Sequence, residues 1–248
     1  MNPAAAVWLG LGISIAAQNC NSLNVVSSIK NQDLKISAIT GYQTNIIFLS
    51  DVRFNGREKV VCDKLKVWYT VIFNSTKNSR GVAILINRRL RHEILETVRD
   101  PQENILLVKA RINDTEIVLG SVYGPNIDTG CGEFFEFLRQ NLNNWPNIPR
   151  ILGGDWNATM SNLPANHNPD VAFMRDIPSR VRTAHVLELC EDEDLSDPFR
   201  TLHPDSTDFT YNPSGDLRKN RSRIDFFSSI ICFVPNNRLV YYSAGILS

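Results

Sequence analysis

An acid and an amide stand two residues apart directly after an apolar run, and this pair could act on a phosphate. The segment Ile151-Leu152-Gly153-Gly154 leads into Asp155, and Asn157 follows. Side chains at positions i and i+2 of an extended chain project to the same side, so the carboxylate and the amide point together. A carboxylate can orient a water, and an amide can donate to an oxyanion. The pair suits attack of water on a phosphate, although a polar turn after a strand has the same short pattern.

Polar residues also stand at the ends of other apolar runs. The further candidates are Asn19 after residues 13–17, Asp51 after Ile46–Ser50, Tyr123 and Asn126 in Tyr123-Gly124-Pro125-Asn126, and Asp225 in Ser222-Arg223-Ile224-Asp225.

The order of these motifs resembles that of the exonuclease–endonuclease–phosphatase superfamily, which has the DNase I fold. The endonuclease domain of non-LTR (LINE-type) retrotransposons is the most similar branch. The resemblance covers roughly residues 12–248 and implies a four-layer α/β sandwich of two packed mixed sheets flanked by helices. The motifs that carry it are Asn19-Cys20-Asn21-Ser22-Leu23, Ser79-Arg80-Gly81-Val82-Ala83, Tyr123-Gly124-Pro125-Asn126, Gly154-Asp155-Trp156-Asn157 and Ser222-Arg223-Ile224-Asp225.

Hydrophobic patterning independently favours two mixed sheets packed face to face with helices outside. Strands are predicted at residues 13–18, 46–50, 67–73, 81–87, 105–112, 116–123, 150–153 and 224–233. Helices are predicted at residues 22–39, with Ser22 as the N-cap, and at residues 132–145 and 181–191.

Composition bounds the domain organisation and the charge. The 248 residues are 43% hydrophobic and 21% charged, which is typical of a globular chain of one large or two small domains. No linker divides the chain, so we expect an irregular tail at residues 1–11 and a single domain at residues 12–248. The net charge of zero argues against a strongly basic nucleic-acid binder but leaves room for a local basic patch.

The cysteines and the amino-terminal segment indicate the cellular compartment in which we expect the protein. The five cysteines are scattered without a Cys-x-x-Cys pair, which favours a reduced, intracellular protein over a disulfide framework or zinc site. Residues 4–17 are apolar but lack a basic flank, which favours a tail plus first strand over a cleaved signal peptide. No other stretch is long enough to span a membrane. The resemblance adds a nuclear location when the protein acts on DNA.

The resemblance implies an enzyme that nicks double-stranded DNA with Mg²⁺ or Mn²⁺. Because Mg²⁺ takes one or two protein carboxylates, Asp51 is the predicted metal ligand. The family usually has Glu there, and the shorter Asp51 would need a closer or water-bridged metal.

The other roles also follow from the resemblance. Asp155 orients or deprotonates the attacking water, while Asn19 and Asn157 fix the phosphate and side-chain geometry. Tyr123 donates to the phosphate, Asn126 supports its loop, and Asp225 orients its neighbours.

Two hydroxyls and a basic hairpin are the predicted DNA contacts. Thr210 and Ser222 are candidates for binding phosphate oxygens. The segment between them has turn signals followed by cations, and resembles a hairpin that faces the DNA groove through Arg218, Lys219 and Arg221.

The carboxyl end departs from the family, which finishes in Ser-Asp-His and a last strand. This sequence ends at Ile246-Leu247-Ser248, so we expect it to lack that pair and to nick poorly. The parent polypeptide would also carry a reverse transcriptase domain, which uses the nick for target-primed reverse transcription. Two alternatives remain: a catalytically inactive DNA-binding remnant, and a phosphatase of the same superfamily.

Overall fold

Two five-stranded mixed sheets lie face to face, with helices on their outer sides. The computed structural model describes residues 7–9, 13–23, 29–41, 43–163, 167–172, 179–211 and 221–229. The strands are β1 (Val7–Leu9), β2 (Ile13–Asn19), β3 (Ile46–Ser50), β4 (Tyr69–Asn74), β5 (Val82–Asn87), β6 (His92–Arg99), β7 (Ile105–Ile112), β8 (Thr115–Tyr123), β9 (Arg150–Asp155), β10 (Val171–Ala172), β11 (Arg221–Ser222) and β12 (Asp225–Ser229). The helices are α1 (Ile29–Gly41), α2 (Glu58–Leu65), α3 (Cys131–Leu142), α4 (Arg180–Asp192) and α5 (Pro198–Leu202).

The strand order places several strand ends at one edge of the sandwich. The first sheet runs β1-β2-β3-β5-β4 and the second runs β12-β9-β8-β7-β6, while β10 and β11 pair separately. Strands β2 and β3 are parallel, with Asn19 beside Ser50. Strands β8 and β9 are also parallel, with Tyr123 beside Asp155. Strand β12 is antiparallel to β9 and begins at Asp225, opposite Asp155.

Three hydrophobic layers hold the sandwich together. The inner layer lies between the sheets, where Phe48 meets Phe227 with ring centroids 5.9 Å apart. The outer layers bury the apolar faces of α1 and α2 against the first sheet and of α3 and α4 against the second. In α3 the predicted spacing of Phe134, Leu138 and Leu142 places all three on the buried face. The hydroxyl of Ser121 also donates to the Leu49 carbonyl across the sheets, 3.0 Å away.

The predicted fold class is confirmed, with some corrections in the elements. Strand β6 was not predicted, because its alternation is weakened by charged residues on a half-exposed edge with a bulge between Ile94 and Glu96. The irregular tail is wrong at Val7–Leu9, which pair with β2. Ser22 is not a helix cap, because Leu23 after it is not helical and the Ser22 backbone N–H donates to the Asp51 carbonyl. Within the described ranges, no helix is long and apolar enough to cross a membrane.

Candidate active site

Asp155 is a buried acid, only 4% exposed, and both of its carboxylate oxygens accept hydrogen bonds. The side-chain amide of Asn19 donates to its Oδ2 at 2.7 Å. The backbone N–H of Asn157 donates to its Oδ1 at 2.9 Å. Since Asn19 ends β2 and Asp155 ends β9, the first of these bonds joins the two sheets. We call Asn19, Asp155, Asn157 and Asp225 the Asp155 cluster.

The environment of Asp155 tunes it toward proton transfer. Burial raises its pKa to about 6, the hydrogen bonds from Asn157 and Asn19 oppose the rise, and the charge of Asp51 adds to it. A carboxylate with this pKa is ionised at neutral pH and still accepts a proton readily, which is what a general base requires.

Asp225 lies beside Asp155 as its partner in the strand ladder. Burial, and then the charge of Asp155, raises the pKa of Asp225 well above its usual range, while the Thr210 hydroxyl lowers it. Among the described residues, the buried Oδ1 of Asp225 has no hydrogen-bond partner. The Thr210 hydroxyl also accepts the backbone N–H groups of Ile224 and Asp225, each at 3.1 Å.

A buried ion network fixes the segment that carries Asp225. The Arg223 guanidinium donates to Asp170 at 2.9 Å and also to Asp197. Arg200 donates to the same Asp170 oxygen. Sequence reasoning missed this network, since its acids come from loops distant in the chain and carry no shared pattern. Only Arg223 stood within a recognised motif.

The loop after β8 is tied to the loop after β9. The Asn157 side-chain amide donates to the Gly124 carbonyl at 2.8 Å. Gly124 packs so closely that an added Cβ would overlap the carbonyl group of Trp156. Arg182 of α4 donates to the Asn157 carbonyl at 2.7 Å and to the Pro125 carbonyl at 3.2 Å. This role of Arg182 was not predicted, because the residue lies on an ordinary helix face.

Asp51 lies in a neighbouring pocket of about 210 Å³, which we call the Asp51 pocket. Its carboxylate is nearly buried and forms a two-pronged ion pair with Arg53, from Nε to Oδ1 at 2.6 Å and from Nη2 to Oδ2 at 2.7 Å. The lining residues are Asp51, Arg53, Ser79, Arg80, Asn104, Tyr123, Gly124, Pro125 and Asn126.

Tyr123 connects the pocket to the Asp155 cluster. Burial raises its pKa to about 12, and the charges of Asp51 and Asp155 contribute to the rise. The phenol therefore keeps its proton at neutral pH and can donate to a ligand. Asn126 is exposed at the pocket rim, and its role in supporting the loop stays a prediction.

As placed, the residues do not fit a metal ion at Asp51. Both of its carboxylate oxygens accept hydrogen bonds from Arg53. No group of three or more His, Cys, Asp or Glu side chains in the described part of the chain is arranged to hold a metal. The predicted metal role of Asp51 therefore stays a prediction that requires Arg53 to move.

Two of the predicted DNA contacts, Thr210 and Ser222, are partly or fully buried. The Thr210 hydroxyl accepts the backbone N–H of Asp225, and Ser222 is only 2% exposed. Arg218 and Lys219 lie outside the described residues, and only the backbone of Arg221, in β11, is described. Their roles in phosphate binding stay predictions.

Comparison with known proteins identifies the fold. No protein-family model matches the sequence. The structure is similar to an AP endonuclease from Archaeoglobus fulgidus, with a TM-score of 0.64 and 17% identity over 88% of this chain and 86% of that one. An AP endonuclease, LMAP, from Leishmania major has a TM-score of 0.68 and 15% identity over 87% of this chain and 78% of that one. The 3′ phosphatase NExo from Neisseria, bound to a product DNA hairpin, has a TM-score of 0.62 and 20% identity over 87% and 85%.

These similarities establish the architecture as the DNase I-like α/β sandwich. These three neighbours are two AP endonucleases and a 3′ phosphatase, and they share this architecture with the chain at low sequence identity.

Proposed function

We propose that this chain hydrolyses a phosphodiester bond of DNA. The observation that carries the proposal is the convergence of Asn19, Tyr123, Asp155 and Asp225 at one edge of the two sheets. Four strand ends from distant parts of the sequence thereby supply a base, a donor and the groups that hold them.

The chemistry can be assigned to the chain's own residues. Asp155 accepts the proton of the attacking water, because its carboxylate is fixed on both oxygens and its pKa is raised to about 6. Tyr123 donates to a phosphate oxygen from a phenol that stays protonated. The side chains of Asn19 and Asn157 bond to Asp155 and to the Gly124 carbonyl, so they position the base and the loop.

The finer assignment is the endonuclease domain of a LINE-type retrotransposon that acts on double-stranded DNA. The order of the sequence motifs supports it, and the DNA hairpin bound to the neighbour NExo supports a nucleic-acid substrate. On this proposal the parent polypeptide also carries a reverse transcriptase domain, and the protein works in the nucleus.

The cofactor is part of the proposal. A bound Mg²⁺ or Mn²⁺ would supply charge neutralisation at the phosphate. Asp51 could serve as its ligand only after the ion pair with Arg53 opens.

Nicking of supercoiled plasmid, with Mg²⁺ and with a chelator, tests the proposal. The wild-type chain should convert supercoiled to open-circular DNA at a low rate, and Asp155→Asn should lower that rate much further. Asp205→Asn is the matched control, because Asp205 is an exposed loop acid. If the two variants nick alike, Asp155 is not the base.

The inactive DNA-binding remnant is the second candidate, and the ion pair that occupies Asp51 favours it. Under this alternative the chain binds a labelled duplex but neither nicks plasmid nor releases phosphate from a 3′-phosphorylated oligonucleotide. Phosphate release without nicking would instead indicate a phosphatase.

A further inference from the structure

Arg53 and Arg80 are held next to each other beside Asp51. The backbone N–H of Arg53 donates to the Arg80 carbonyl at 2.9 Å, and the N–H of Val52 donates to the Gly81 carbonyl at 3.0 Å. These bonds fix the turn after β3 against the segment before β5. Both arginines consequently line the same pocket.

The backbone at these positions is strained. Asp51, Arg53 and Arg80 have φ angles of 54°, 47° and 65°, in the left-handed region that residues other than glycine seldom adopt. Strain of this kind is concentrated at functional sites, where the surrounding structure enforces it. Here three residues of this kind line one pocket, and two of them carry like charges.

The arginines leave the pocket with surplus positive charge. Asp51 is the one acid on the lining, against two guanidinium groups. Arg53 uses Nε and Nη2 to bind Asp51, so other N–H groups of the same guanidinium remain available. Arg80 forms no ion pair with any residue that the structure describes, and its charge acts on Tyr123.

We propose that Arg53 is a built-in cation at Asp51, which takes the place of a divalent metal ion and, together with Arg80, binds a phosphate oxygen. Guanidinium groups suit this role because they stay charged and present planar pairs of donors to phosphate. Arg53 is anchored by Asp51 and so is already oriented. The Tyr123 hydroxyl, which contacts Arg53, adds a neutral donor.

The proposal deepens the proposed function and rests on it for the identity of the ligand as a nucleic-acid phosphate. It replaces the Mg²⁺ or Mn²⁺ of that proposal at Asp51 by Arg53. It accounts for the misfit of a metal ion at Asp51, because the side chain of Asp51 binds the guanidinium of Arg53 in place of a metal ion. It also predicts competition, since a divalent cation can reach Asp51 only by displacing Arg53.

Calorimetric titration of the protein with inorganic phosphate, in the presence of a chelator, is the direct test. The wild-type chain should bind phosphate without metal, and Arg53→Gln and Arg80→Gln should each weaken binding by about tenfold or more. Arg53→Lys should fall between, because it keeps the charge but loses the paired donors. Arg89→Gln, an exposed arginine at the opposite end of β5, is the control and should bind like wild type.

A second titration with Mn²⁺, followed by electron paramagnetic resonance, tests the competition. Arg53→Gln should bind Mn²⁺ more tightly than wild type, and adding Asp51→Asn to that variant should remove the gain. The proposal is overturned if both glutamine variants bind phosphate like wild type, if phosphate binds only with metal, or if wild type and Arg53→Gln bind Mn²⁺ equally. Arg80 is exposed, so Arg80→Gln keeps the test decisive even if Arg53→Gln unfolds.

Neither titration depends on catalysis, so the two proposals can fail separately. A chain that never cleaves DNA but binds phosphate through the arginines contradicts the proposed function alone. A chain that nicks DNA, but whose phosphate affinity is unchanged by Arg53→Gln and by Arg80→Gln, contradicts this inference alone.

Discussion

The Asp155 cluster and the Asp51 pocket lie side by side but are built in different ways. The cluster stands on strand ends, where ladder registers place Asp155 next to Tyr123 and Asp225. The pocket stands on turns with left-handed backbone, where Asp51 is held by a nearby side chain. The cluster retains the residues that the family resemblance implies, whereas the pocket has Asp51 and Arg53 where that resemblance implies a glutamate and a metal ion.

The difference shows which part of such a site can change its chemistry. A residue on a strand end is fixed by every bond of the ladder, so its replacement disturbs the base and the core together. A residue on a turn is held mainly by its immediate hydrogen-bond and ion-pair partners. A new charge two residues away can therefore change its chemical role. We therefore expect substitutions in the cluster to have the larger effects.

The largest expected effect is the loss of the base. Asp155→Asn should reduce plasmid nicking by about 10²–10⁴-fold, because general base catalysis is removed while the size and shape of the side chain are retained. Gel quantification of the nicked fraction over time measures it. An Asp51→Asn loss as large as the Asp155→Asn loss would erase the contrast between the two regions.

The two regions should also differ in how much a substitution lowers the free energy of unfolding. Arg223→Met leaves Asp197 buried without the Arg223 cation and Asp170 with Arg200 alone, at a cost of about 3–5 kcal/mol in the free energy of unfolding. Arg53→Gln should cost less, because its guanidinium is 37% exposed and water can replace it. Urea denaturation of the two variants gives both values, and equal losses would contradict the comparison.

The pH dependence should have opposite signs for activity and for stability. Activity needs ionised Asp155, so it should rise about tenfold per pH unit up to about pH 6 and then level off. Stability should move the other way. The raised pKa values of Asp155 and Asp225 mean that the folded state binds their protons more tightly than the unfolded state, so this contribution is complete below about pH 4 and is lost as pH rises through 6. Nicking rates and urea midpoints measured across pH 4–8 test both signs, and Asp155→Asn should flatten the low-pH arm of the stability curve.

A smaller effect distinguishes an arginine from a metal at Asp51. Asp51→Asn removes a negative charge beside the proposed phosphate but keeps one amide oxygen to hold Arg53, and should tighten metal-free phosphate binding by roughly three- to tenfold. A metal ligand would give the opposite sign, since its removal would weaken binding in the presence of Mg²⁺. Phosphate titrations with and without Mg²⁺ compare the two.

The smallest effect concerns the predicted basic hairpin between Thr210 and Ser222. Replacing Arg218, Lys219 and Arg221 with Ala should lower the slope of log affinity against log salt by about 0.9 for each lost phosphate contact. Binding of a labelled duplex at several salt concentrations measures the slope. An unaltered slope would mean that the DNA charge is met elsewhere, with the Asp51 pocket as the first place to look.

Sequence reasoning reached further for the cluster than for the pocket, and the reason is physical. An apolar run that begins or ends at a polar residue marks a strand end, so Asn19, Asp155 and Asp225 were placed at strand ends without coordinates. The family resemblance also anticipated the sandwich. The ion pair of Asp51 with Arg53 depends on left-handed backbone in a turn, and no periodicity encodes that. Strand β6 was missed for a related reason, because an edge strand with charged residues on its exposed face lacks a clear apolar alternation.

The close packing of Gly124 against Trp156 has a consequence for sorting related genes. Any side chain at this position would collide with backbone rather than with a movable group, so relaxation is costly. A chain with any other residue at this position should therefore fail to seat its two site loops together, whatever else it retains. The residue at this one position should separate related chains that can assemble the site from those that cannot.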